Sequence, residues 1–466
     1  MISRNAIHYT LSQLLRVALP VNGNLEFQFT IEANRMDVCF ANDYHIAMTL
    51  FTDKEHENFL KGQASPTLVK SADGGLEIPV FASESKDTCE AIQTVGNKLA
   101  IPYDLVTPSF IFLSREEEYS GLPRDQHNRF LYAYSLARRY NCIEFPLVDE
   151  YAMLLRKWIL DYLHPEITIH PKNFQFIPTH DIDLLYRFKN PLQAFKSIFG
   201  RDLLINRSLK EVSTSLQEYR DWKKDSLSDP YITGIQELLR VAKERHLPAR
   251  FFFKAQVTGE PDCTYEFDDA GVRRSIELIK TAGMDIGLHG SFESYNQPER
   301  FSQEKNRLEE ICQSPIDSCR QHFLRFTLQR DLCNYTVLNK QSLSSLEVHH
   351  RNTLQVWQSA GIRHDYTLGY AEQPGFRCGT CHSYPLYDLD NDCPTEVFEH
   401  PLIVMDGSLF DYLQLDAGHS IARISQLIKR CKAVEGDFIM LWHNHLLSRN
   451  YRQLYHDVYL RTLSSL

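Results

Sequence analysis

A chain of 466 residues is too long for one ordinary hydrophobic core, and its length implies two or three domains. Its apolar content of 43% and charged content of 24% are those of a soluble globular protein. The net charge of −10 is spread along the chain with no basic stretch, which argues against nucleic acid as a partner. No apolar run approaches the roughly 18–20 residues of a membrane span, so no transmembrane segment is expected.

In chain order, Leu11, Leu14, Leu15 and Ala18 share one helical face, which reads as an amphipathic helix rather than a secretory signal. Eleven cysteines, an odd number without an export signal, suggest reduced thiols and a cytoplasmic location. Leu25 to Ile31 alternates with the period of a half-buried strand. The stretch from Asp104 to Phe130 is dense in charge, including Ser114-Arg115-Glu116-Glu117-Glu118-Tyr119. It reads as a solvated loop with local ion pairs, the alternative being a polar surface that faces a ligand or a second domain. Tyr151 to Leu163 predicts a helix, and Pro165 and Pro171 bracket a linker.

From Phe174 the organisation changes to alternating strands and helices. Phe174 to Ile182 is an apolar strand ending in His180, Asp181 and Asp183. Leu184 to Tyr231 is too long for a βα loop and reads as a helical insertion that forms a lid beside the site. Further strands are expected at Phe251–Phe253, Met284–His289, Ser318–Phe326, Ile362–Asp365, Phe376–Tyr387, Leu402–Met405 and Phe438–His443. Repeated βα units imply a parallel sheet or barrel. The expected fold is therefore α/β: a distorted (β/α) barrel of about seven or eight strands over residues 169–466, with the insertion at about 184–231. A smaller α/β domain over residues 1–168 precedes it.

Chemistry in such folds collects at the carboxyl ends of the strands. Four predicted strand ends carry polar groups there: Asp181 with Asp183, His289, Arg320 with His322, and His443. Cys378-Gly379-Thr380-Cys381 is a lone C-x-x-C without two further ligands at matching spacing, and reads as buried thiols.

Thr179-His180-Asp181-Ile182-Asp183, His289-Gly290-Ser291, Arg320-Gln321-His322-Phe323 and Leu441-Trp442-His443, in that order, resemble the motifs of the polysaccharide deacetylases of the carbohydrate esterase type. Phe376 to Cys381 and Pro401 to Asp406 are similar to a bacterial subgroup carrying an extra N-terminal domain of unassigned function. The resemblance covers roughly residues 172–450. It implies a carbohydrate substrate and a divalent metal, expected to be zinc, held by Asp183 and His289; His322, where the family usually has proline, is expected as the third ligand because a strand-end imidazole there would complete an Asp–His–His set. It also implies Asp181 as the base that takes a proton from water, His443 as the acid that protonates the sugar amine, and Arg320 as the group that orients Asp181. Phe323, Arg325 and Trp442 would meet the substrate, and a backbone N–H near Phe323 would help to stabilise the oxyanion.

Two departures from the family pattern stand out. The aspartates are separated by Ile182, though on a strand Asp181 and Asp183 still share a face. Glu293 stands where the second histidine of the usual pair is expected, so Glu293 is the alternative to His322 as third ligand. The expected activity is removal of an acetyl group from an N-acetylated sugar in a glycan or glycan precursor. The rivals are an inactive barrel that binds glycan or a protein partner, and a glycoside hydrolase with paired carboxylates.

Overall fold

The computed structural model describes residues 2–23, 25–40, 43–84, 91–119, 121–199, 209–255, 265–328, 352–447, 453–464 and 466. Its first helix, Arg4–Ala18, starts at Ser3, whose side chain accepts from the Ala6 N–H, and it buries the predicted Leu11, Leu14, Leu15 and Ala18. A helix over Leu147–Tyr162 packs alongside. Its Arg156 donates 2.7 Å hydrogen bonds to the carbonyls of Val17 and Ala18, satisfying the end of the first helix.

Among the described residues the N-terminal part holds two sheets. Strands β1 (Phe27–Glu32), β2 (Arg35–Phe40), β3 (Tyr44–Thr49), β6 (Gln93–Val95) and β7 (Lys98–Ile101) form a sheet of order β1-β2-β3-β7-β6. Strands β4 (Thr67–Lys70) and β5 (Glu77–Val80) pair separately. The helix that ends at Tyr162 and the next strand at Gln175 leave residues 163–174 as the connection, the stretch bracketed by the two prolines.

The second half is organised on a nine-stranded sheet. Its strands are β8 (Gln175–Ile182), β9 (Arg250–Phe253), β10 (Asp285–Gly290), β11 (Ser318–Gln321), β12 (His364–Asp365), β13 (Tyr384–Asp388), β14 (Cys393–Glu399), β15 (Leu402–Met405) and β16 (Asp437–Leu441). The order is β13-β14-β12-β11-β10-β9-β8-β16-β15, and only the β13–β14 pair is antiparallel.

The sheet curls. In a flat sheet β11 and β8 would lie about 14 Å apart, three strand spacings. Yet Arg320 on β11 reaches Thr179 Oγ1 on β8 at 2.8 Å. Ile177, Phe252, Tyr366, Leu402, Ile439 and Leu441, from both halves of the sheet, bury together inside the curve. The chain after β12 closes much of the gap to β15: Leu402 donates to the Leu368 carbonyl at 3.2 Å and Gly375 to the Ile403 carbonyl at 2.9 Å.

The expected strand over Phe376–Tyr387 begins only at Tyr384. Residues 376–379 instead run against the N-terminal part, where Phe376 donates to the Ile143 carbonyl at 2.9 Å and Val148 to the Gly379 carbonyl at 2.8 Å. Gly379 has φ +66°, and a Cβ there would lie 3.0 Å from Val148 Cγ2 and 3.2 Å from Phe112 Cβ, so the C-x-x-C turn seats on this contact. The thiols of Cys378 and Cys381 are buried.

The charge-dense stretch is not a solvated loop. Arg115, Glu117 and Glu118 are buried, and Glu118 receives Arg377 Nη2 at 2.8 Å while Arg115 Nη1 donates to the Arg377 carbonyl at 2.6 Å. The expected local pairs form, Arg115 with Glu117 at 2.5 Å and with Glu118 at 2.9 Å, and Glu118 also pairs with Arg377 across the two halves of the chain. Among the described residues no helix is long and apolar enough to cross a membrane.

The insertion has a small core of its own, Phe188, Ala194 and Ile198, beneath the helix Leu209–Lys224. Residues 200–208 of the expected lid lie outside the described residues.

Candidate active site

β8 alternates its side chains across the sheet. Ile182 and His180 face outward into packing: His180 is fully buried, its Nδ1 bonds the Trp442 carbonyl at 2.7 Å, and burial lowers its pKa to about 4. Asp181 and Asp183 face inward, lining a cavity of about 570 Å³ with His289, His322, Phe323 and His443. Residues far apart in the sequence thus meet at the carboxyl ends of β8, β10, β11 and β16.

Asp181 Oδ1 pairs with Arg320 Nη1 at 3.1 Å, both side chains buried. Arg320 is held in turn by the Tyr366 carbonyl at 2.8 Å, so the guanidinium is fixed and steers one oxygen of Asp181. Asp183 Oδ1 lies 3.3 Å from His289 Nε2 and 3.5 Å from His322 Nε2, and Asp183 Oδ2 lies 3.4 Å from His443 Nε2. Burial opposes the charge of Asp183, but Lys254, His322, His289 and His443 outweigh it and hold the carboxyl well below its ordinary range.

The ligand atoms of Asp183, His289 and His322 all lie within 4.8 Å of one another. His289 donates from Nδ1 to the Arg320 carbonyl at 2.9 Å, which leaves the Nε2 lone pair aimed inward. That buried nitrogen makes no hydrogen bond among the described residues. An imidazole lone pair facing a carboxylate oxygen is repulsive unless a cation lies between them, so the set fits a divalent metal. Two imidazoles and a carboxylate are also the donors of many hydrolytic zinc centres. Glu293 is exposed on the loop after β10 and takes no part in the group.

His322 owes its position to an unusual turn. β11 stops at Gln321, short of the predicted Phe326, because Phe323 and Leu324 both adopt left-handed backbone, with φ +59° and +56°. The N-terminal part braces this strained turn: the His127 ring stacks on Phe323 at 4.5 Å, and Arg129 donates to the Phe323 carbonyl at 3.3 Å. Arg129 also lines the cavity.

Two expected substrate contacts are corrected. Trp442 is fully buried between Phe410 and Tyr459, because Leu441 and His443 take the inward side around it. Arg325 lies outside the cavity wall, its guanidinium 3.9 Å from the Phe292 ring centroid and 3.8 Å from that of Tyr295. The described part of the insertion contributes nothing to the wall either, so the lid is not seen there.

Sequence reasoning missed Asp406, which follows β15 directly. His443 Nδ1 lies 2.8 Å from its Oδ1, and Asp406 Oδ2 accepts from the His443 backbone N–H at 2.6 Å. Burial opposes a charged imidazole, but Asp406 and Asp183 outweigh it and raise the His443 pKa well above its usual value. It also missed Lys254, which follows β9 and places Nζ 2.7 Å from Asp183 Oδ1. Extending the strand-end rule to β9 and β15 would have found both.

Fold and site together define a curled parallel α/β protein with an Asp–His–His group able to hold a metal, flanked by an Asp–Arg pair and a His–Asp pair. Residues 2–164 match the model of a "Family of unknown function (DUF7033)". Among curated proteins none matches the chain. Similar solved structures include a putative polysaccharide deacetylase from Mycobacterium smegmatis, with 14% identity, TM-score 0.38, and coverage of 64% of this chain and 84% of that one. A probable polysaccharide deacetylase from Pseudomonas aeruginosa PAO1 is similar at 12% identity, TM-score 0.34 and coverage of 63% and 84%. A CE4 family pseudoenzyme from Bacillus anthracis is similar at 9% identity, TM-score 0.27 and coverage of 64% and 63%.

Proposed function

We propose that the chain is a metal-dependent hydrolase that removes the acetyl group from an N-acetylated sugar of a glycan or glycan precursor. The observation that carries this reading is the convergence of Asp183, His289 and His322 between the Asp181–Arg320 and His443–Asp406 pairs. The choice of an acetylated sugar follows from the motif resemblance.

A bound divalent ion, expected to be zinc, supplies Lewis acidity and lowers the pKa of water towards about 7. Asp183, His289 and His322 would hold it. Asp181, with Oδ1 engaged by Arg320, accepts the proton of the attacking water at Oδ2. His443 keeps its proton on Nε2, because Asp406 claims Nδ1 and favours the imidazolium. That proton goes to the sugar nitrogen as the C–N bond of the amide breaks, and the products are acetate and a free amine.

The test is acetate release from N-acetylglucosamine oligosaccharides by zinc-reconstituted protein, with chelated protein as control. Acetate from the zinc form alone is expected, and its absence despite stoichiometric zinc would sink the reading. Reducing sugar in place of acetate would point to glycoside hydrolysis. One observation favours a second reading, a metal-free barrel that binds glycan or a partner: the Lys254 ammonium already bonds two of the three donors. Glycan binding without zinc uptake would select it.

A further inference from the structure

We propose that Lys254 is a built-in competitor for the metal position, its ammonium holding the Asp183 and His322 donors until a divalent ion displaces it. The inference rests on the metal reading above and deepens it.

Strand order sets the arrangement. β9 lies between β8 and β10, and Phe253 is in register with Ile182 on one side and Leu288 on the other. The next residue on each strand is Asp183, Lys254 and His289, so the lysine emerges level with two of the three donors. Its side chain is only 1% exposed, and Nζ forms an ion pair with Asp183 Oδ1 at 2.7 Å and donates to His322 Nε2 at 2.9 Å. A buried ammonium needs such partners, and here they are the atoms a metal requires.

The two occupants exclude each other. A metal bond to His322 needs the same Nε2 lone pair that now accepts from Lys254. Metal bonds to nitrogen and oxygen are about 2.0–2.2 Å long. With Nζ where it is, an ion bonded to both atoms would lie within about 3.5 Å of the ammonium, and like charges at that distance in a buried site repel strongly. Metal binding therefore requires Lys254 to swing away. Apparent affinity is then scaled down by the fraction of molecules in which the lysine has withdrawn.

The experiment measures zinc affinity by competition with a chromophoric chelator for wild type, Lys254→Met and Lys254→Gln, with thermal melts with and without zinc. Both variants are expected to bind zinc at least about tenfold more tightly than wild type, and to gain more in Tm on adding it. Zinc uptake by the variants alone would support the proposal equally. Equal or weaker binding in the variants, with zinc bound by wild type, overturns the competitor role and leaves the metal reading standing. No uptake by any of the three overturns both. Should neither variant fold, zinc-soaked crystals of wild type decide: Nζ displaced from Asp183 and His322 supports the proposal, and Lys254 still bonded to both beside a bound zinc refutes it.

Discussion

His443 and Asp406 stand 37 positions apart, yet the imidazole Nδ1 and a carboxylate oxygen meet at 2.8 Å, with a second contact at 2.9 Å. β15 and β16 are parallel neighbours, so residues just beyond their carboxyl ends are brought level. The pairing orients the ring towards Asp183, with Nε2 3.4 Å from Asp183 Oδ2, and the two carboxylates outweigh burial to favour the charged imidazolium.

This relationship predicts the behaviour of Asp406→Asn. Without the carboxylate that favours the imidazolium, His443 loses its proton at lower pH, and the alkaline limb of the activity profile moves down. The deacetylation kcat is expected to fall by about 10²-fold, the usual scale for a general acid. Steady-state acetate release from pH 5 to 10 checks both effects, and an unchanged profile would remove Asp406 from the mechanism.

Metal content separates the two candidates for third ligand. Asp183→Ala, His289→Ala and His322→Ala are each expected to lose about 10²-fold or more in zinc affinity, at least what loss of an outer-shell partner costs. Glu293→Ala should retain wild-type zinc content, since its side chain lies outside the group. Elemental analysis after dialysis against dilute zinc makes the comparison.

The contact between the halves of the chain rests on buried charge. Glu118 pairs with Arg377 and Arg115, and these neighbours outweigh burial to bring its pKa down to about 2. Arg377→Met leaves part of that charge uncompensated and is expected to destabilise the protein by about 3–5 kcal/mol. Glu118→Gln combined with Arg377→Met should recover part of the loss. Urea unfolding of the single and double variants measures it, and additive losses would show that the two side chains are not coupled.

Glu304, which is not itself one of the metal-ligand candidates, supplies a pH test. It accepts hydrogen bonds from the Ser291 hydroxyl and, at 3.0 Å, from the Ser291 backbone N–H, and burial raises its pKa to about 7 from an ordinary 4.5. The folded state thus holds a proton that the unfolded chain releases. Its stabilising contribution is complete below about pH 4.5 and is lost as pH rises through 7, an effect of order 3 kcal/mol. Glu304→Gln is expected to flatten the pH dependence of the urea midpoint between pH 5 and 8. An equally steep decline in the variant would place the titration elsewhere.

Much of the second half was legible because apolar runs such as Phe251–Phe253 and Phe438–Leu441 are what strands buried on both faces require. Their polar termini were legible for the same reason: Asp181, Asp183, His289, His322 and His443 interrupt sequences that are otherwise core. A one-dimensional pattern records where an apolar strand ends, which is a local property of the chain.

Which of those ends meet was settled elsewhere. The curl of the sheet brings Arg320 to Asp181, and the β15–β16 neighbourhood brings Asp406 to His443. The left-handed turn at Phe323 and Leu324, braced by His127 and Arg129, points His322 inward, and the seat between Phe292 and Tyr295 withdraws Arg325. Lys254 entered the donor set because β9 happens to lie between the strands of Asp183 and His289. Side-chain identity and strand ends are written along the chain, whereas strand order, pleat direction and turn geometry arise only from long-range packing, and these decide which charges share one cavity.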